Sequence, residues 1–247
     1  MPENRQEQLA SQVKSQLLQE ICSGKYRSAY RLPPEIQLAQ ELNVSRTAIR
    51  DALSAMEQDG YISRRRGTGT LINRHVTGVA LRFDGEEEFL KIVEKSGYYP
   101  GVRFLGVETV PASPEVAHRL SVQPETPVLA VERVITGDGI PVIYCMDYIP
   151  ASLIQDHSYT TEDLKKPIFA FLREFCAIEG YMDLTELHAA QATEKLAELL
   201  ELEQGSALLH FDEVWYDFEG LPILYALEYY REGMITHTIL RKRHEKY

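Results

Sequence analysis

The chain has 247 residues, enough for one large domain or two of ordinary size. Its hydrophobic fraction of 44% allows real cores, and no apolar run nears the roughly 18 residues that a membrane span needs. The start, Met1-Pro2-Glu3-Asn4-Arg5, lacks the apolar stretch of a secretion signal, so a cytoplasmic protein with no membrane partner is expected. Cys22, Cys145 and Cys176 are scattered, with no C-x-x-C pair; they read as small hydrophobes rather than as a disulfide framework or zinc site. The net charge of −11 is unevenly spread. Residues 1–75 hold 11 Lys/Arg against 8 Asp/Glu, whereas residues 76–247 hold 15 against 29. Any contact with a polyanion must therefore come from the first 75 residues.

Leu9, Val13, Leu17, Leu18 and Ile21 recur at helical spacing, and Gly24 marks the stop. A loop rich in Tyr and Arg leads to Leu32-Pro33-Pro34-Glu35, where Pro34 suits the first position of a second helix with Leu38, Ala39 and Leu42 on its apolar face. Asn43-Val44 turns the chain. Ser45 is an N-cap for a third helix that buries Ala48, Ile49, Ala52, Leu53 and Met56 and ends at Gly60. Its other face carries Arg46, Thr47 and Arg50, with the two arginines at i, i+4. Two β-prone stretches, Tyr61-Ile62-Ser63 and Thr70-Leu71-Ile72, flank the basic tip Arg64-Arg65-Arg66-Gly67-Thr68-Gly69, as in a wing. Taken alone, the three arginines read more readily as a solvated face; beside a helix-turn-helix they do not.

The run LPPEIQLAQELNVSRTAIRDALSAMEQDGYISRRRGTGT resembles the DNA-binding domain of the GntR family of bacterial regulators, through Leu-Pro-x-Glu, Val-Ser-Arg-Thr, Arg-x-Ala-Leu, Gly-Tyr-Ile and Gly-x-Gly taken jointly. The resemblance implies a winged helix-turn-helix whose third helix enters the major groove. Arg46 and Arg50 would each offer a fork to guanine, roughly 1–3 kcal/mol of discrimination per good pair. Ser45 and Thr47 would meet phosphates, while Arg65, Arg66, Gly67 and Thr68 would approach phosphate or the minor groove, and Arg31 joins this set. Many relatives carry a basic residue after the Leu-Pro-x-Glu glutamate. Here it is Ile36, so one family contact is absent.

Asn73 to Gly78 reads as polar and extended, and Asp84 to Leu90 as the acidic start of a helix reaching about Ser96. Residues 76–97 are thus a linker with the first helix of a second domain, 98–247. That domain carries an internal repeat. Gly139-Ile140-Pro141-Val142-Ile143-Tyr144-Cys145-Met146-Asp147-Tyr148 recurs as Gly220-Leu221-Pro222-Ile223-Leu224-Tyr225-Ala226-Leu227-Glu228-Tyr229, shifted by 81 residues. Each copy reads as a helix (near 115–120 and 192–202), a strand (128–136 and 208–217), a turn and a second strand apolar on both faces. The expected class is α+β, with an antiparallel sheet covered by helices.

Val131-Glu132-Arg133 followed by Gly139-Ile140-Pro141 resembles the effector-sensing (UTRA) domain of the HutC subfamily of GntR regulators, whose fold is similar to that of chorismate lyase. The resemblance implies a small-molecule effector site. Arg133, Asp147 and Glu228 are its candidates, with Tyr144, Tyr148, Tyr225 and Tyr230 as walls; alternatively the charges pair with one another or meet water at strand ends, and the tyrosines are core. Phe89 stands where sugar-phosphate-sensing relatives have a Ser-Phe pair, but Glu88 precedes it and would repel phosphate. An uncharged, cationic or zwitterionic effector becomes comparably plausible. The seven histidines lack metal-ligand spacing, and no nucleophile elbow or phosphate loop appears, so no metal, cofactor or catalytic residue is expected. The family pattern implies a homodimer on a near-palindromic operator in double-stranded DNA, acting as a repressor relieved by effector. A C-terminal domain that only dimerises, or a lyase-like enzyme, are the alternatives.

Overall fold

The computed structural model describes residues 2–65, 67–79, 82 and 88–242, with side chains from Gln8 onward. The chain divides into two compact units, residues 1–85 with 237–247 and residues 86–236. Among the described residues no helix is long and apolar enough to cross a membrane.

The first unit runs α1 (Pro2–Cys22), β1 (Arg31–Leu32), α2 (Glu35–Glu41), α3 (Arg46–Gln58), β2 (Ile62–Arg65), β3 (Gly69–Ile72) and α4 (Arg74–Thr77). Val13, Leu17 and Ile21 of α1 close on Leu38 of α2, on Ile49, Leu53 and Met56 of α3, and on Ile62 and Ile72 of the hairpin. Ser45 caps α3, its hydroxyl accepting from the Ala48 amide at 3.1 Å, and Gly60 follows at φ +80°, which a glycine adopts without strain. Pro34 stands one place earlier than expected. It is the cap residue, with extended ψ, and Glu35 opens the helix.

Two further features depart from the sequence reading. β1 adds a third strand, with Arg31 opposite Leu71. The stretch after Asn73 is a helical turn rather than extended, because the Arg74 guanidinium donates to the carbonyls of Ile21 (2.9 Å), Tyr26 and Ala29 (2.5 Å) and binds the turn to the end of α1.

The second unit runs α5 (Phe89–Lys95), β4 (Pro100–Pro111), α6 (Pro114–Arg119), β5 (Pro127–Gly137), β6 (Ile140–Pro150), α7 (Thr161–Leu164), α8 (Ile168–Phe175), β7 (Met182–Gln191), α9 (Glu194–Leu200), β8 (Ala207–Tyr216) and β9 (Pro222–Arg231). The expected acidic start at Asp84–Glu87 lies outside the described residues. The six strands form one antiparallel sheet in the order β4-β5-β6-β9-β8-β7, so each repeat supplies three strands and β6 meets β9 at the centre. Each repeat holds one strand more than expected, β4 and β7. Both faces of the inner strands are covered, and edge strand β7 is left exposed. α7 and α8 lie over Leu129, Val131, Ile149, Trp215 and Leu224, whereas α6 and α9 lie over Val128, Tyr225, Val134 and Tyr144.

Candidate functional site

In the first unit Ser45, Arg46, Thr47 and Arg50 are all exposed on the opening turns of α3. Apolar positions 48, 49, 52 and 53 face the core, which forces 46, 47 and 50 outward. Arg50 lies 3.8 Å from the Glu35 carboxylate at the start of α2, a contact long enough to leave its guanidinium available. Arg65 pairs with Gly69 at the end of the hairpin; Arg65 and Gly67 are exposed, and Thr68 is half-buried. Arg31 is exposed on β1, and Arg66 lies outside the described residues.

The three wing arginines are not equivalent. Arg64 turns back onto α3, where its Nε donates to Glu57 Oε2 at 2.8 Å and a terminal nitrogen donates to the Ser54 hydroxyl at 2.9 Å. The Arg64 amide donates to the other Glu57 oxygen at 2.7 Å. Arg64 is thus a strut between wing and helix, and Arg65 presents the charge.

In the second unit the pleat places Arg133, Asp147, Glu228 and Tyr230 on one sheet face, the face under α7 and α8. Arg133 pairs across strands with Cys145, Cys145 with Glu228, and Asp147 with Ala226. Directly opposed residues share a face, and so do residues two apart along a strand. The repeat explains the convergence. Asp147 and Glu228 are repeat mates on the two central antiparallel strands, so they lie diagonally across from one another on that face.

Arg133, 2% exposed, holds Asp147, 1% exposed, at 2.5 Å and donates to the Lys166 carbonyl at 2.9 Å. Its Nε has no hydrogen-bond partner among the described residues. The Tyr230 hydroxyl donates to Glu228 at 2.6 Å. The sequence reading missed a fourth charge on this face, Glu213, which pairs with Ala226 and accepts from the Trp215 indole. Glu213 is the repeat mate of Arg133. One copy of the repeat therefore carries an opposite-sign pair and the other a like-sign pair.

That difference sets the protonation states. Burial pushes the Glu228 carboxyl well above its usual range, and the nearby Glu213 pushes it further. Burial, then the Asp183 carboxylate, raise Glu213 to about 7. Burial also lifts Asp147, against the downward pull of Arg133.

Tyr144 does not join this group. It lies on the opposite face, donates to Glu132 at 2.6 Å, accepts from Lys195 at 3.3 Å and packs beside α9. Tyr148 and Tyr225 stack on that same face, with ring centres 5.9 Å apart. Phe89 is the first residue of α5, which lies against β4 and β5, and is half-buried. Among the described residues no cluster of three or more His, Cys, Asp or Glu side chains is arranged to hold a metal.

A capped helix with outward arginines beside a basic wing, joined to a sensor-type sheet with buried polar groups, defines a transcription regulator of the helix-turn-helix class. Residues 9–72 match the bacterial regulatory proteins of the gntR family, and residues 95–235 match the UTRA domain. The chain belongs to the GntR family and carries a UTRA effector-binding domain. It is 30% identical over 216 residues to an uncharacterised HTH-type transcriptional regulator of Rhizobium meliloti, covering 87% of each chain. It is 27% identical over 237 residues to the probable fructoselysine utilization operon transcriptional repressor of Escherichia coli, covering 96% of each. The fold is similar to that of the possible transcriptional regulator YydK of Bacillus subtilis, with a TM-score of 0.77 at 21% identity over 95% of this chain and 99% of that one. All three are named as transcriptional regulators or repressors.

Proposed function

We propose that the chain is a cytoplasmic, homodimeric repressor of the HutC subfamily that reads its operator through α3 and is released by a small metabolite. The observation that carries this reading is the pair Arg46 and Arg50, exposed one turn apart at the start of α3 and adjacent in the fold to a basic wing. The first turns of such a helix reach base edges in the major groove, and an arginine fork matches guanine O6 and N7. Arg65, Arg66, Gly67 and Thr68 in the wing, with Ser45, Thr47 and Arg31, contact phosphate and groove walls. Residues 1–75 serve as the DNA-binding domain and residues 98–247 as the sensor, save that 237–247 group with the first compact unit. Relatives in Bacillus subtilis and Escherichia coli are named repressors, which supports the sign of regulation.

The effector occupies the sheet face that carries Arg133, Asp147, Glu213, Glu228 and Tyr230, with Phe89 at its margin. With Asp147 matched by Arg133 and the proton affinity of Glu213 and Glu228 raised, these two glutamate carboxyls can give hydrogen bonds to a ligand or take them from it. The Arg133 Nε, without a partner among the described residues, offers a donor to a hydroxyl or carboxylate. A zwitterionic or polyhydroxylated metabolite fits this set better than a phosphate does. The dimer forms through the sensor. Edge strand β7 is exposed on both faces and, with Tyr181 just before it, displays Met182, Leu184 and Leu187, a stretch that a second copy would cover.

Arg46→Ala combined with Arg50→Ala tests the reading. Specific operator binding should vanish while circular dichroism and sedimentation match the parent. A double variant that still selects its operator from competitor DNA removes α3 as the reading element.

A further inference from the structure

The last carbonyls of any helix have no partner within it, and a cation near them is favoured by the helix dipole. At the end of α3 these groups are taken by side chains from the two segments that leave the DNA-binding unit. Lys242 donates its ammonium to the carbonyl of Glu57 and, at 2.5 Å, to that of Gln58. Arg82 donates to the carbonyl of Asp59 at 2.5 Å and lies over the Tyr61 ring, 5.0 Å from its centre. Leu240 closes over Gly60 so tightly that a Cβ there would collide with its methyl group. The Glu57 side chain at this same spot anchors Arg64 of the wing.

Neither cation sits in the apolar core: among the described residues, the buried cluster of the unit includes neither Arg82 nor any residue of 237–242. Arg82 belongs to the segment that runs on to the sensor. Lys242 follows the end of β9, the strand that bears Glu228 and Tyr230. One residue from each segment that joins the units in sequence, Arg82 and Lys242, thus binds the same end of α3.

We propose that Arg82 and Lys242 form a clamp through which the sensor controls DNA binding. With both cations seated, the end of α3 and the wing strut stay fixed relative to each other. A shift of either connecting segment unseats a cation, loosens the Glu57–Arg64 anchor and lets the wing drift from its place beside the helix. The clamp rests on the reading of α3 as the element that enters DNA.

The test uses the full chain, the double variant Arg82→Met with Lys242→Met, and the charge-keeping pair Arg82→Lys with Lys242→Arg. Amide hydrogen exchange is followed at Asp59, Gly60 and Tyr61, whose amides bond to Ala55, Glu57 and Met56. Two such caps lost should speed exchange there by about tenfold, with α1 amides unchanged, and the charge-keeping pair should restore most of the protection. Preference for the chain's own promoter duplex over random duplex should fall by a similar factor in the double variant. Simple loss of charge would weaken both duplexes alike. Unchanged exchange at the three amides overturns the clamp, and so does faster exchange with promoter preference intact. Failure of the α3 reading is seen separately, in the Arg46 and Arg50 variants.

Discussion

The two units treat charge in opposite ways. The DNA-binding unit keeps Arg46, Arg50 and Arg65 in water, whereas the sensor sheet buries Arg133, Asp147 and Glu228 to 5% exposure or less. An exposed arginine costs the fold little and stays available for a polyanion. A buried charge must be matched within the fold or held neutral by a proton. The sheet uses both solutions side by side: Arg133 matches Asp147 in one repeat, and raised proton affinity settles Glu213 and Glu228 in the other.

If that contrast is right, substitutions separate cleanly into those that cost stability and those that cost recognition. Arg133→Met leaves Asp147 buried without its partner and should lower the unfolding free energy of the sensor by about 3–5 kcal/mol in urea titrations. Adding Asp147→Leu should recover most of that loss. A single variant within experimental error of the parent would mean the pair is not closed from water.

The second repeat predicts a pH dependence. Folded Glu213 keeps its proton up to about 7, whereas the unfolded chain releases it near the ordinary value of 4.5. Between these values the folded state holds more protons, so stability falls as pH rises, by up to about 1.4 kcal/mol per pH unit for each such carboxyl. The contribution is complete below pH 4.5 and lost above about 7. Glu213→Gln should flatten the curve of denaturation midpoint against pH in this window, and an unaltered slope would assign the proton elsewhere.

Smaller effects divide the wing. Arg64→Ala should destabilise the first unit by about 1–2 kcal/mol, since it breaks charge-assisted bonds at the half-exposed Glu57. Arg65→Ala should leave stability within about 0.5 kcal/mol and weaken binding to any duplex. Equal stability losses in the two would erase the distinction between strut and contact. Ser45→Ala should cost about 1 kcal/mol through the lost cap, measured by thermal melting of the first unit.

Much of the first unit was legible because its signals are local. Ser45, Gly60 and the spacing of Ile49, Leu53 and Met56 fix α3 within a few residues. β1 and α4 were not legible, since a two-residue strand exists only by pairing with Leu71, and a single turn only through Arg74 reaching back across the fold. In the sensor the repeat marked the central strands and brought Asp147 and Glu228 together. β7 was hidden because its polar and apolar residues do not alternate toward a core; both of its faces are exposed. Tyr144 is one residue from Cys145, and the pleat alone sends it to the other face. Glu213 escaped notice because the second repeat has one extra residue in its turn, Phe218-Glu219-Gly220 against Asp138-Gly139, which puts the first strands 80 residues apart where the second strands are 81 apart. Aligning each strand separately would have matched it to Arg133.

The most direct measurement is the binding of the purified full chain to its own promoter duplex and to random duplex of equal length, across a range of salt. Recognition through α3 predicts a promoter preference that survives at physiological salt and disappears in the Arg46→Ala, Arg50→Ala variant. Weak binding that salt erases equally for both duplexes would contradict it.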